Sequence, residues 1–148
     1  MKKDFVRDYA TAAFRLWAIR GCNTYEQEME RIEKRAEENA KDADSDKAVA
    51  FAQAELVKRV AELYDIMACD ETFRLLEKQG KGIICNAVKE VYMIDSRREP
   101  KRDEIAKRVL RFAIDTPASE RQVYRWLAEA RNLFAALRGL RVDDSDDW

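Results

Sequence analysis

The sequence predicts an all-α protein, in which a charged N-terminal helical hairpin or bundle precedes a C-terminal helix-turn-helix bundle. Only four glycines and two prolines interrupt the 148 residues, and Ala, Leu, Glu, Lys and Arg, which favour helix, dominate the composition. Apolar residues recur at intervals of three and four residues, the period of an amphipathic helix. The length allows one domain or two small ones with a real core.

The N-terminal region, residues 1–70, is predicted to hold three helices, at 3–20, 25–43 and 47–68. Gly21 should end the first. Thr24 should begin the second, because Gln27 completes a capping box with it. The second helix is charge-rich with a narrow apolar stripe, so we expect it to pair with the more hydrophobic third helix. The apolar stripe of the third helix is Val49, Ala52, Leu56, Val60, Leu63 and Met67, widened by Phe51, Val57 and Tyr64.

The acidic segment 42–47, DADSDK, is interpreted as a turn that ends in a helix cap at Asp44 or Ser45. Its alternating Asp residues suggest a calcium loop, but the Gly and the bidentate Glu that such a loop needs are missing at their positions. The glutamates of the second helix favour a solvated face over a metal site. We therefore expect neither a metal nor a cofactor.

The C-terminal region, residues 71–141, is predicted to hold four helices, at 71–79, 83–94, 101–114 and 119–139. Asp70 should cap the first of them. Pro100 suits the first turn of the third, and Pro117 disfavours helix at Thr116, so that helix should end before it. Ser119 should begin the last helix as the start of a second capping box. An acidic tail, residues 142–148, follows.

The last two of these helices, joined by a short turn, have the pattern of a helix-turn-helix. The predicted buried stripe of helix 119–139 is Val123, Leu127, Ala130, Phe134 and Leu137. Arg121, Gln122 and Arg125 lie off this stripe in the first turn and a half, the positions that point into the major groove. Arg can hydrogen-bond both acceptors of guanine, and Gln can pair with adenine, so these three are candidate base contacts.

Positive charge is concentrated around this unit. Residues 96–141 hold 12 Lys and Arg against 6 Asp and Glu, whereas residues 1–95 hold 16 against 19. Helix 101–114 carries basic residues outside its apolar stripe, and these are candidate contacts to the DNA backbone. They are Lys101, Arg102, Lys107, Arg108 and Arg111. The alternative is an ordinary solvated face, balanced by Asp103 and Glu104.

Other features exclude some function classes. The chain has no histidine, so Ser-His and Cys-His nucleophiles and His zinc ligands are excluded, and we expect no enzyme. Cys22, Cys69 and Cys85 form no CxxC pattern, which favours free thiols. The N-terminus lacks the apolar run of a signal peptide, and no uncharged stretch is long enough to span a membrane. We expect a cytoplasmic protein.

The segment SERQVYRWLAEARNLFAAL resembles the C-terminal helix-turn-helix of bacteriophage transcriptional regulators of the ArpU and RinA type. It is also similar to region 4 of sigma-70-type factors, where the start Ser-x-Arg-x-Val-Tyr-Arg is common. With AVKEVYMIDSRREP before it, the resemblance covers roughly residues 83–140. It implies a regulator of prophage late genes that reads bases with Arg121, Gln122 and Arg125. It also implies that Tyr124 and Arg131 lie nearer the DNA backbone.

The expected function is thus sequence-specific binding of double-stranded DNA in transcription regulation, through helix 119–139. RNA polymerase is a further candidate partner, and the N-terminal helices are candidates for joining a homodimer. The alternative is a helical oligomeric assembly protein of the phage packaging adaptor type. No membrane partner is expected.

Overall fold

The computed structural model describes residues 4–39 and 45–140, and these residues form helices without any β-strand. The all-α prediction is therefore confirmed for the part of the chain described. The helices are α1 (Phe5–Ile19), α2 (Tyr25–Asn39), α3 (Ser45–Lys78), α4 (Gly82–Tyr92), α5 (Arg102–Asp115) and α6 (Glu120–Arg138). Most of the predicted 42–47 turn and the acidic tail lie outside the described residues.

Local capping signals place the helix ends close to where they were predicted. The Thr24 backbone N–H donates to Gln27 Oε1 at 2.8 Å, and the Gln27 N–H donates to Thr24 Oγ1 at 3.2 Å. This reciprocal pair is the predicted capping box of α2. At the start of α6, Ser119 Oγ accepts from the backbone N–H of Gln122 at 3.1 Å. Gly139 ends α6 with a φ of +78°, a left-handed conformation that glycine adopts without strain.

One buried cluster joins α1, the second half of α3, and α4, α5 and α6. Aromatic rings form its centre: the centroids of Phe14 and Phe134 lie 5.5 Å apart, and Trp17 meets Phe73 edge-on at 4.8 Å. The buried Trp17 indole donates to the Asn23 carbonyl at 2.9 Å, so its N–H is satisfied. The first helix of the chain thus belongs to the same core as the C-terminal helices.

A polar network also connects distant parts of the chain at the edge of this core. Arg138 Nε in α6 donates to Asp65 Oδ1 in α3 at 2.7 Å, and the Tyr9 hydroxyl in α1 donates to the same oxygen at 2.8 Å. Both charged side chains are largely buried, so their ion pair is screened less than a surface pair. The network helps to hold the C-terminal end of α6 against α1 and α3.

The predicted helix break after residue 68 is wrong, because α3 runs without interruption from Ser45 to Lys78. Asp70 is an interior residue whose carboxylate pairs with Arg74 at 3.1 Å, one turn further on. The expected boundary between residues 70 and 71 therefore falls inside a continuous helix. The paired packing of the second and third predicted helices is confirmed: α2 packs along α3.

Two predicted core assignments are also wrong. In α3, Leu63 is buried, but Val49, Val60 and Met67 of the predicted stripe are exposed, as are Phe51, Val57 and Tyr64. The physical reason is that α2 covers only one side of the first half of α3. In α6, Leu137 is exposed, and Ala135 is buried in addition to the four other predicted residues.

We expect Phe134→Ala to lower the free energy of unfolding by about 3–5 kcal/mol, because it removes a fully buried ring from the aromatic centre. Leu137→Ala, one turn along the same helix, should cost about 1 kcal/mol or less, since that side chain is partly solvated already. Urea unfolding followed by circular dichroism measures both. Equal losses for the two variants would contradict this orientation of α6.

Candidate nucleic-acid interface

Helices α4, α5 and α6 pack against one another and form a three-helix unit at the C-terminal side of the core. The connection between α5 and α6 is four residues long, 116–119, as in a helix-turn-helix. Within it, the Ala118 N–H donates to the Ala113 carbonyl at 2.8 Å, and Ala118 packs on the core. The turn is thus held at its middle by a hydrogen bond and by apolar packing, and Ser119 caps the helix that follows.

Four fully buried side chains set the rotation of α6 about its own axis: Val123, Leu127, Ala130 and Phe134. Because each residue advances about 100° around a helix, Arg121 and Arg125 fall on the side opposite this stripe. Both are exposed. In residues 4–39 and 45–140, no carboxylate pairs with either guanidinium, so both keep all their donors for a ligand.

Gln122 lies beside this pair, with an exposed side chain. Its backbone N–H serves the helix cap, and its side-chain amide points away from the buried stripe. The three candidate base contacts are therefore brought together at the exposed start of one helix. Asn132 shares the outer side of α6 with the two arginines and was missed in the sequence. Its helical phase, which matches that of Arg121 and Arg125, is the signal that identifies it.

The basic residues of α5 divide into two groups. Arg102 and Lys107 on the helix and Lys101 at its N-cap are exposed and can reach a ligand. Arg108 is directed inward: its Nη1 donates to the Val91 carbonyl at 2.9 Å, and its side chain is only 17% exposed. Its Nη2 also lies 3.6 Å from Glu104. Arg108 thus connects α5 to the end of α4, and this contact leaves little of it for a DNA phosphate.

The two residues that the resemblance places near the DNA backbone also differ. Tyr124 is exposed, in the second turn of α6. Arg131 is half-buried, and its Nη1 donates to the hydroxyl of Tyr92 at 2.7 Å. Burial raises the pKa of Tyr92, and the charge of Arg131 opposes that rise. The phenol therefore stays neutral at physiological pH. The hydrogen bond between Arg131 and Tyr92 joins α6 to the end of α4.

Other contacts position this surface without belonging to it. Arg98 forms a bidentate pair with Glu104 at 2.9 Å to each oxygen, so the basic linker before α5 is attached to that helix. The hydrogen bonds and the charge of Arg98 lower the pKa of Glu104, because they favour its carboxylate form. Trp126 packs edge-on against Phe112 with a centroid distance of 6.4 Å.

The described residues contain no group of three or more side chains suited to hold a metal ion. None of the described helices has both the length and the apolar character needed to cross a bilayer. Comparison of the chain with family models, with curated proteins and with solved structures found no match. The arguments for function therefore rest on the geometry of the exposed side of α5 and α6.

We expect Arg108→Ala to lower the free energy of unfolding by about 1–3 kcal/mol, because the Val91 carbonyl loses its charged donor. Arg111→Ala, an exposed neighbour on the same helix, should change it by about 0.5 kcal/mol or less. Chemical denaturation measures the difference. If Arg108→Ala proves as neutral as Arg111→Ala, Arg108 does not serve to join α4 and α5.

Proposed function

We propose that this protein is a sequence-specific DNA-binding transcription regulator, which reads the major groove with α6. The observation that carries the proposal is the pair of exposed arginines, Arg121 and Arg125, at the start of a helix that follows a four-residue turn. In known helix-turn-helix proteins, residues at these positions contact base edges. The resemblance to phage regulators supports a phage or prophage setting.

The charge around the arginines supports the same function. Arg102 and Lys107 are exposed on α5, the helix that precedes the turn, and Lys101 is exposed at its N-cap. Cations in this position attract phosphates on either side of a groove and orient the protein without reading sequence. The N-terminal end of α6 adds the partial positive charge of its unpaired backbone N–H groups. Of the two acidic side chains of α6, Glu129 is paired with Lys81 at 2.7 Å, and Glu120 is exposed in the first turn.

A DNA site selected from random duplexes should lose affinity for the double variant Arg121→Ala/Arg125→Ala by about thirtyfold or more. This estimate takes about 1–3 kcal/mol for each bidentate contact to a base. Fluorescence anisotropy on the selected duplex gives the dissociation constants. Wild-type affinity should also fall steeply with added salt, because phosphate binding releases counterions.

The matched control is Lys34→Ala/Arg35→Ala on α2. Both side chains are exposed, neither is in a salt bridge among the described residues, and their replacement removes the same charge as the double variant on α6. Binding of this control should equal that of the wild type. If both double variants lose the same affinity, the effect comes from net charge alone, and α6 is not the reading helix.

A second candidate function is protein docking by the same three-helix unit, with RNA polymerase or an assembly partner as the ligand. The observation that favours it is the exposure of Leu110 and Ile114 on α5, at 45% and 68%. Two apolar side chains one turn apart are typical of a protein contact rather than a phosphate contact. If Ile114→Glu abolishes binding to purified RNA polymerase while Arg121→Ala/Arg125→Ala does not, docking is the better description.

A further inference from the structure

An exposed apolar stripe runs along α3 on a surface separate from the α5–α6 interface. We name it the α3 seam, and its residues are Ala50, Gln53, Val57, Val60, Tyr64 and Met67. Their spacing alternates between three and four residues, the seven-residue repeat of a coiled-coil contact. The four largest apolar members are exposed by 77% (Val57), 45% (Val60), 53% (Tyr64) and 43% (Met67). Soluble monomers rarely leave a continuous apolar stripe in water.

The first half of α3 extends away from the main core. Among its described side chains, none before Leu63 is buried. Ile32 and Ala36 of α2 and Leu63 of α3 are buried, and none of the three belongs to the main buried cluster. The residues of α3 that are half-buried here, Ala52 among them, occupy another side of the helix from the seam. The α2–α3 hairpin therefore presents the seam outward.

The second half of the seam lies at the wall of a groove. Tyr64 and Met67 line a cavity of about 370 Å³ together with Leu137 of α6 and Tyr25 of α2. Leu137 is also exposed, and the Arg138 guanidinium stacks over the Tyr64 ring at 5.5 Å from its centroid. One end of the seam thus projects from the molecule, and the other end borders a partly apolar groove.

We propose that the seam joins two copies of this chain as an antiparallel homodimer. In antiparallel packing, the projecting half of each α3 lies against the groove of the other copy. The best register places Val57 against the partner's Met67, and Val60 against the partner's Tyr64. Every contact occurs twice about the two-fold axis. Each α2 stays on the outer side of its own α3, so the two hairpins form a four-helix bundle.

The charges at the ends of the seam select this arrangement. The same repeat continues to Asp46 at one end and to Glu71, Arg74 and Lys78 at the other, and all four are exposed. A parallel pair would set each of them against its own copy, four like-charge contacts in all, of which the contact at Arg74 is weakened by its own ion pair with Asp70. The antiparallel register instead sets Asp46 against the partner's Lys78.

The remaining contacts of that register are also favourable. Gln53 faces the partner's Glu71, to which its amide can donate a hydrogen bond, and Ala50 leaves room for the stem of the partner's Arg74. A shift by one repeat would set Asp46 against the partner's Glu71, a like-charge contact. This self-complementarity between the two ends is why the occupant is a second copy rather than an unrelated helix or a nucleic acid.

Sedimentation equilibrium without DNA tests the proposal. The 148-residue chain should have twice its single-chain mass of 17.3 kDa at micromolar concentration. Val57→Glu and, separately, Val60→Glu should each weaken association at least a hundredfold and give the single-chain mass. Both side chains are exposed, so the helical circular dichroism should not change. A monomeric wild type would overturn the proposal.

Ile114→Glu is the matched control, because it makes the same apolar-to-acid change at an exposed position of α5. This variant should remain dimeric. If Ile114→Glu breaks the dimer and the two α3 variants do not, the interface lies on α5 and the seam is not involved. An oligomer that survives all three changes likewise contradicts the proposal. None of these results depends on DNA binding, so failure here and failure of the DNA-binding function remain distinguishable.

Disulfide trapping tests the orientation in a Cys22→Ser background, which removes the exposed thiol. Chains with Gln53→Cys, mixed with tagged chains carrying Glu71→Cys, should give a mixed disulfide on mild oxidation. A parallel pair would instead link each variant to itself, and that result would overturn the antiparallel arrangement. Unmixed Gln53→Cys chains should stay unlinked, which gives the baseline for the mixed sample.

Discussion

The packing of the α6 stripe into the common core is the constraint on which the rest of the structure depends. Val123, Leu127, Ala130 and Phe134 are buried completely, and close packing tolerates little rotation of a helix held this way. Their burial decides which side of α6 meets solvent and therefore where Arg121 points. The Asp65–Arg138 ion pair fixes the far end of the same helix. Core packing alone therefore directs the two arginines outward, and no surface contact is needed to keep them in this orientation.

Local chemistry was readable from the sequence because it acts over a few residues. The capping box at Thr24 depends on two side chains three residues apart, the cap at Ser119 depends on a backbone N–H three residues further on, and the α6 stripe depends on helical spacing. The three base-contact candidates follow from the same spacing. Arg108 could not be separated from its basic neighbours, since its inward orientation depends on the Val91 carbonyl, seventeen residues away. The same holds for Arg131 and its contact with Tyr92.

The course of α3 shows where local reasoning fails. Asp70 can cap a helix or stand inside one, and its ion pair with Arg74 supports the second arrangement. The absence of Gly and Pro from residues 45–78 is the signal that indicates a continuous helix. No feature of the sequence indicates in the same way that Val57 and Val60 are exposed. An apolar stripe indicates that a helix surface favours packing against another surface. It does not indicate whether that surface belongs to the same chain or to another one.

Because α3 is continuous, the angle around its axis between the seam and the core residues is fixed. The seam runs along one side of the helix from Ala50 to Met67, and core residues such as Cys69 and Phe73 lie on another side of its second half, with no loop between them. A single inserted residue at the middle would turn one half by about 100° relative to the other, whereas seven would restore nearly the original angle. A length change that keeps the seam and the core residues in phase must therefore come close to a whole number of helical turns.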